Sequence, residues 1–92
     1  MSSFVVAYDI EDDKRRNAVH RALMSFGVWT QYSVFECALD EQQLVRMRHR
    51  LESLMDKRED SVVIYHLCSA CHRGLERIGI SKGLLEKQDL IV

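Results

Sequence analysis

Two segments of the sequence, "FVVAY" (4–8) and "SVVIY" (61–65), carry apolar or aromatic residues at consecutive positions. A strand with this composition is covered on both faces, whereas a strand with one face in water alternates apolar and polar residues. The chain has only 92 residues, enough for one small domain. Any fold it adopts must therefore cover both faces of a sheet with very few elements.

The first half of the chain contains one strand, one helix and a strand pair. The apolar run 4–8 predicts a strand ending near Asp9. Helical spacing over residues 13–26 predicts a helix with Asp12 or Asp13 as N-cap and Gly27 at C′. The segment "VWTQYSVFECAL" (28–39) is rich in strand-forming residues, which predicts two short strands that turn near residues 31–33.

The second half repeats the order of helix and strand. Asp40 and Gln43 have the spacing of a capping box, and the apolar stripe after them predicts a helix to about Asp56. The segment "DSVVIYHL" (60–67) predicts a buried strand, and "RGLERIGI" (73–80) predicts a shorter terminal strand.

These elements predict an α+β fold, a ferredoxin-like βαββαβ sandwich with an extra C-terminal strand. Both helices would cover one sheet face, and no third long helix remains for the other. A second copy of the sheet is the economical cover, so we expect a homodimer with its sheets packed face to face. We assign residues 1–80 to the domain and 81–92 to a tail that packs on the partner subunit.

Charge and the N-terminal segment restrict the class of protein. The segment "MSSFVVAYDIEDD" has no basic stretch, and its apolar run is too short for a signal peptide or a membrane span. We therefore expect a cytoplasmic protein without a membrane partner. Thirteen basic and fourteen acidic residues give a net charge of −1, so the overall charge does not by itself indicate a nucleic-acid partner.

The segment "CSACH" (68–72) has the spacing of a c-type haem attachment motif and of half a zinc site. Haem attachment normally follows export, and this N-terminus has no export signal, so we expect no haem. A zinc site would need two further ligands from Cys37, His66, His72 or a partner chain. The remaining interpretation is that Cys68 and Cys71 are small, half-buried residues near a strand end.

Four carboxylates, Asp9, Glu11, Asp12 and Asp13, lie at the junction of the first strand and helix. Oxygen ligands of this kind suit magnesium. Asp12 and Asp13 are equally explained as helix caps, and Lys14, Arg15 and Arg16 as a solvated helix face.

Asp9 differs because it directly follows an apolar strand, where an unpaired charge is costly. If a twofold axis passes near the strand ends, two copies of Asp9 could share one magnesium ion at a site for phosphodiester hydrolysis.

The segments "VVAYDIEDDKRR", "GVWTQYSVFECAL" and "DSVVIYHLCSAC", in this order and spacing, resemble the family of CRISPR-associated protein two. The resemblance covers about residues 4–80 and implies a ferredoxin-like dimer. It implies that Asp9 is the metal-binding and catalytic aspartate, contributed by both subunits, of a magnesium-dependent endonuclease acting on RNA or DNA. Arg15 and Arg16 match the basic pair that follows this motif. Val63 and His66 stand where the family often has arginine and proline.

The resemblance also implies a partner, the CRISPR-associated integrase (protein one), which the dimer would bridge on duplex DNA during spacer acquisition. That role requires no hydrolysis, so a catalytically silent scaffold is the alternative function. A third hypothesis, from the fold alone, is a small-molecule regulatory module.

Three further residues are candidates for phosphate contacts. Ser33 lies in the segment "QYSVFE", and Arg46 and Arg50 lie one turn apart on the second helix. For the two arginines, a solvated helix face is the alternative. We assign Phe35 to the core, and Tyr8 and the other large aromatic residues to the core or an interface rather than to binding.

Overall fold

The computed structural model describes residues 1–79. Its elements are β1 (Ser2–Asp9), α1 (Asp13–Met24), β2 (Val28–Gln31), β3 (Val34–Leu39), α2 (Glu41–Leu54), β4 (Ser61–Leu67) and α3 (Ser69–Arg73). The strands form one antiparallel sheet in the order β2-β3-β1-β4. This element order and strand order confirm the α+β ferredoxin-like βαββαβ arrangement.

The ends of α1 show one prediction confirmed and one wrong. Asp12 is the N-cap, because its carboxylate accepts a hydrogen bond of 2.9 Å from the backbone N–H of Arg15. Gly27 is not a left-handed C′ residue, since the helix ends at Met24 with Ser25 as C-cap. A Cβ atom on Gly27 would lie 2.4 Å from the carbonyl oxygen of Glu36. The glycine therefore permits close approach to β3.

The hairpin and the second helix follow the sequence closely. The chain turns at residues 32–33, where Tyr32 has a φ of 45°. The predicted capping box is present, because Asp40 accepts from the N–H of Gln43 at 2.7 Å and Gln43 accepts from the N–H of Asp40 at 2.9 Å. Helix α2 ends at Leu54, slightly earlier than expected, because Met55 is already extended.

The core lies between the sheet and the two long helices. Alternate residues of β1 and β3 point into it, where they meet the apolar stripes of α1 and α2. Its buried members are Phe4, Val6, Tyr8, Ile10, Val19, Leu23, Phe35, Cys37, Leu39, Met47 and Leu51. Phe35 is completely buried, as expected for a core residue.

The opposite sheet face is only partly covered. Strand register places Val5 beside Tyr65 and Ala7 beside Val63 on this face. Val63 is 40% exposed and Tyr65 is 54% exposed. We call this surface, formed by Val5, Ala7, Val63 and Tyr65, the open sheet face. It is the face on which we expect a second copy to pack, and the homodimer stays a prediction.

The terminal strand predicted for residues 73–80 is absent from residues 73–79. Instead, Cys68 caps the short helix α3, and the following residues cross the sheet without joining a ladder. The Arg77 guanidinium forms an ion pair with both carboxylate oxygens of buried Glu36, on the sheet face away from the helices. The alternating pattern therefore reflects an extended segment packed across strands, not along one.

The tail that we assigned to residues 81–92, and the boundary at residue 80, lie outside the described residues, so the domain division stays a prediction. Within residues 1–79, no helix combines the length and the apolar character that crossing a membrane requires.

Candidate functional site

Asp9 is the last residue of β1, where it pairs in register with Ser61 of β4. Its side chain is exposed, so in one chain it does not meet the costly burial expected from its apolar neighbours. Strand alternation places it on the same side of the sheet as Ala7 and the open sheet face. Asp9 is therefore a solvent-accessible carboxylate at the rim of the surface on which a second copy would pack.

One chain does not build a complete metal centre from its described residues. In residues 1–79, no three His, Cys, Asp or Glu side chains lie close enough together to hold an ion. A zinc site would require such a set, whereas magnesium usually keeps several waters and takes one or two carboxylates. Asp9, supplied once by each chain, therefore fits the ligand pattern of magnesium better than that of zinc.

Arg15 forms a clamp between α1 and the loop before β4. Its Nε donates to Asp60 Oδ2 at 2.8 Å and its Nη2 to Asp60 Oδ1 at 3.1 Å. Asp60 also accepts from the N–H of Asp56 at 2.8 Å, and its side chain is 1% exposed. These bonds hold the pKa of Asp60 below its usual range. The contacts give Arg15 a structural task, and its assignment to nucleic acid stays a prediction.

Arg16 and Ser33 lie at the same cavity, which is about 370 Å³ in volume. The cavity lies at the end of α1 nearest to β1, beside the hairpin turn. The Arg16 guanidinium donates to the carbonyl oxygens of Ile10 at 3.2 Å and Glu11 at 3.1 Å and forms an ion pair with Asp13. The structure thus brings together two of the candidate phosphate-binding residues.

Two residues that we did not assign to binding also line this cavity, which we call the Tyr8 cavity. The Tyr8 hydroxyl lies 2.8 Å from His20 Nδ1. Burial raises the pKa of Tyr8, against the opposing effects of the Arg16 charge and a hydrogen bond with Ser33. The sequence signal for His20 is its spacing of one helical turn from Arg16.

The candidate residues do not form one cluster in a single chain. Tyr8 and Asp9 are consecutive on β1, so their side chains point to opposite sheet faces. Arg46 and Arg50 are exposed on α2, in the helix layer, across the sheet from the open face. A nucleic acid bound by all of them would have to extend around the edge of the domain.

The two cysteines of "CSACH" are exposed at the start of α3, so the half-buried interpretation is wrong. Cys68 Sγ caps the helix by accepting from the N–H of Cys71, which keeps both thiols at the surface. The zinc interpretation finds no third protein ligand within residues 1–79.

The fold and the exposed strand-end carboxylate define a small ferredoxin-like protein with its candidate site at the sheet rim. The family profile described as CRISPR associated protein Cas2 matches residues 1–74. The chain belongs to this family.

Similar proteins agree with the assignment. The CRISPR-associated endoribonuclease Cas2 1 of Rhodospirillum rubrum is 38% identical and aligns with 98% of this chain and 90% of its own. The CRISPR-associated endonuclease Cas2 2 of Thermus thermophilus is 47% identical over 67% of this chain and 69% of its own. The solved structure of Streptococcus pyogenes Cas2 is 30% identical, covers 84% of this chain and 99% of its own, and superposes with a TM-score of 0.73.

Proposed function

We propose that this chain acts in CRISPR adaptation as a magnesium-dependent endonuclease on RNA or DNA, with Asp9 as the metal-binding and catalytic residue. The relatives are named endoribonuclease or endonuclease, which supports phosphodiester hydrolysis as the reaction class. The names differ on the nucleic acid, so the proposal includes both substrates.

The observation that carries the proposal is the position of Asp9. It is exposed at the end of β1, at the rim of a partly uncovered apolar sheet face. A homodimer that packs through the open sheet face would supply a second Asp9. Two carboxylates, one from each subunit, are a ligand set that magnesium accepts together with water and phosphate oxygens.

The metal ion and Asp9 have distinct tasks in this proposal. Bound magnesium would polarise a phosphate and lower the pKa of a coordinated water. Asp9 would hold the ion through its carboxylate oxygens. Hydrolysis joins the oxygen of one water to phosphorus, breaks the bond to the leaving oxygen and transfers a proton to that oxygen.

The Tyr8 cavity would bind the nucleic-acid strand further along its backbone, around the edge of the domain from the phosphate at Asp9. Arg16 supplies a positive charge that two backbone carbonyl oxygens hold in place, and Ser33 supplies a hydroxyl donor. Such contacts fix the register of a nucleic acid without reading its sequence. Arg15 would act indirectly, because its pairing with Asp60 fixes the start of α1 next to Arg16.

Cleavage by purified protein tests the role of Asp9. Single-stranded RNA and duplex DNA are incubated with magnesium or with EDTA, using wild type, Asp9→Asn and the matched control Glu11→Gln. Glu11 is an exposed carboxylate two residues further along the chain. We expect Asp9→Asn to lose at least about 100-fold in rate, since several kcal/mol of charge stabilisation depend on the metal. Equal rates for Asp9→Asn and wild type would remove Asp9 from the mechanism.

A noncatalytic scaffold is the second candidate, and the exposed arginines of α2 favour it. Arg46 and Arg50 lie one turn apart, and no ion pair engages either of them within residues 1–79. They could follow the phosphates of a duplex while the dimer bridges the CRISPR-associated integrase. No hydrolysis is needed for that role.

Duplex binding by a double variant, Arg46→Gln with Arg50→Gln, tests the scaffold surface. The double variant loses two phosphate contacts in each subunit, so the slope of log affinity against log salt should fall by about 2 for each subunit that contacts the duplex. Spacer acquisition that survives Asp9→Asn but fails in the double variant would favour the scaffold over the nuclease. An unchanged salt slope would exclude these arginines from the DNA surface.

A further inference from the structure

Cys68 and Cys71 face each other at the surface between β4 and α3. Their Sγ atoms are 3.3 Å apart, and both side chains are exposed. The N–H of Cys71 also lies 3.4 Å from Cys68 Sγ. Cys37, in contrast, is fully buried in the core of the same domain. The chain therefore has two accessible, closely spaced thiols and one buried thiol, Cys37, with which their reactivity can be compared.

We propose that Cys68 and Cys71 form a reversible thiol-modification site that reacts with low-molecular-weight disulfides of the glutathione class and closes to an intramolecular disulfide. The two sulfur atoms are already in contact, so closure requires only a small local movement. Cys68 is the attacking thiol and Cys71 is the resolving thiol.

The hydrogen bonds set this order of reaction. The backbone N–H of Cys71 donates to Cys68 Sγ, and this bond together with the contact between the two thiols holds the pKa of Cys68 below its usual value. The same contact raises the pKa of Cys71. Burial raises the pKa of Cys37 to about 11. At neutral pH, Cys68 is therefore the thiol with the largest thiolate fraction, and the thiolate is the nucleophile.

The exchange proceeds in two balanced steps. The Cys68 thiolate attacks one sulfur of the small disulfide, forms a mixed disulfide and releases the first small thiolate, which takes up a proton. Cys71 then loses its proton, attacks Cys68 Sγ and releases the second small thiol. The two protein thiols are oxidised by two electrons, and one small disulfide is reduced to two thiols.

The described geometry favours this chemistry over metal binding. His66 and His72 line a cavity of about 360 Å³ beside Cys68. Even so, residues 1–79 contain no group of three His, Cys, Asp or Glu side chains that could hold an ion. Two thiolates alone do not complete the four-coordinate site that zinc prefers.

Intact mass measurement tests the proposal on the full chain. Reduced protein in EDTA is equilibrated with glutathione at several ratios of oxidised to reduced form, then quenched in acid. We expect wild type to lose the mass of two hydrogen atoms, reversibly. Cys71→Ser should instead gain one glutathione, and Cys37→Ser should behave as wild type does. A wild-type chain that accumulates mixed disulfides, or remains reduced throughout, would overturn the proposal.

Alkylation rates give a second test that needs no variant. Cys37 is fully buried and its pKa is raised to about 11, so both its lack of access to the reagent and its small thiolate fraction slow its alkylation. We expect Cys68 to be alkylated at least about tenfold faster than Cys37. Equal rates would overturn the proposal. Stoichiometric zinc that protects both exposed thiols when EDTA is omitted would also overturn it, in favour of a metal site.

Discussion

Replacing Val63 by aspartate places a charge in the middle of the open sheet face. Val63 lies on β4 opposite Ala7, and 40% of it is exposed in one chain. If two copies pack through this face, the substitution changes the interface twice, once in each subunit. The helices and the core on the other side of the sheet should be unaffected.

The expected loss of dimer affinity follows from the exposed fraction of Val63, which is 40%. Fully burying a valine side chain contributes about 2 kcal/mol, so the exposed 40% contributes about 0.8 kcal/mol in each copy. Two copies contribute about 1.6 kcal/mol. Removing two unpaired carboxylates from water costs several kcal/mol more. A total loss of at least about 4 kcal/mol raises the dimer dissociation constant at least about 1,000-fold.

Sedimentation equilibrium over a concentration series measures that constant. Val45→Asp is the matched control, because Val45 is a 58% exposed valine on the helix layer. At protein concentrations at which Val63→Asp is a monomer, we expect wild type and Val45→Asp to be dimers. Circular dichroism confirms that each variant is folded. A folded Val63→Asp dimer with unchanged affinity would refute packing through the open sheet face.

Two further predictions concern stability. Gly27→Ala should lower the free energy of unfolding by about 1–3 kcal/mol in urea denaturation, because its Cβ would lie 2.4 Å from the Glu36 carbonyl oxygen. An unchanged urea midpoint would contradict that close approach. The hydrogen bonds with Arg15 lower the pKa of Asp60 in the folded protein. Ionised Asp60 therefore stabilises the folded state at pH values above its ordinary pKa of 3.8. This contribution is lost as the pH falls through the lower, folded-state pKa. Asp60→Asn should therefore show a weaker loss of stability below about pH 4 than wild type, and an equal loss would contradict the clamp.

The sequence predicts those parts of the fold that depend on local signals. The capping box at Asp40 and the turn at residues 32–33 both appear where local chemistry requires them. The prediction that Gly27 is the C′ residue is wrong because the role of Gly27 depends on contact with β3, which is distant in sequence. The prediction of a strand after residue 73 is wrong for a similar reason, since Arg77 packs against a carboxylate 41 residues earlier.

The candidate site was harder to predict than the fold. Spacing could identify Asp9 as a carboxylate at a strand end, and the structure places it there. Spacing could not show that Arg15 is engaged by Asp60, 45 residues later, or that Tyr8 contacts His20. These pairings arise from tertiary packing, so neighbouring residues in one basic segment have different surroundings.

The ion pair between Arg77 and Glu36 bears on where this domain ends. The family profile stops at residue 74, after the last strand and helix of the described chain. Glu36 lies at the centre of β3 with only 5% of its surface exposed, and the guanidinium that neutralises it arrives three residues beyond that limit. An expression fragment cut at the family boundary would keep every helix and strand found in residues 1–79 and still lose this counter-charge. We therefore expect a fragment that ends at residue 74 to be less stable than one that includes Arg77.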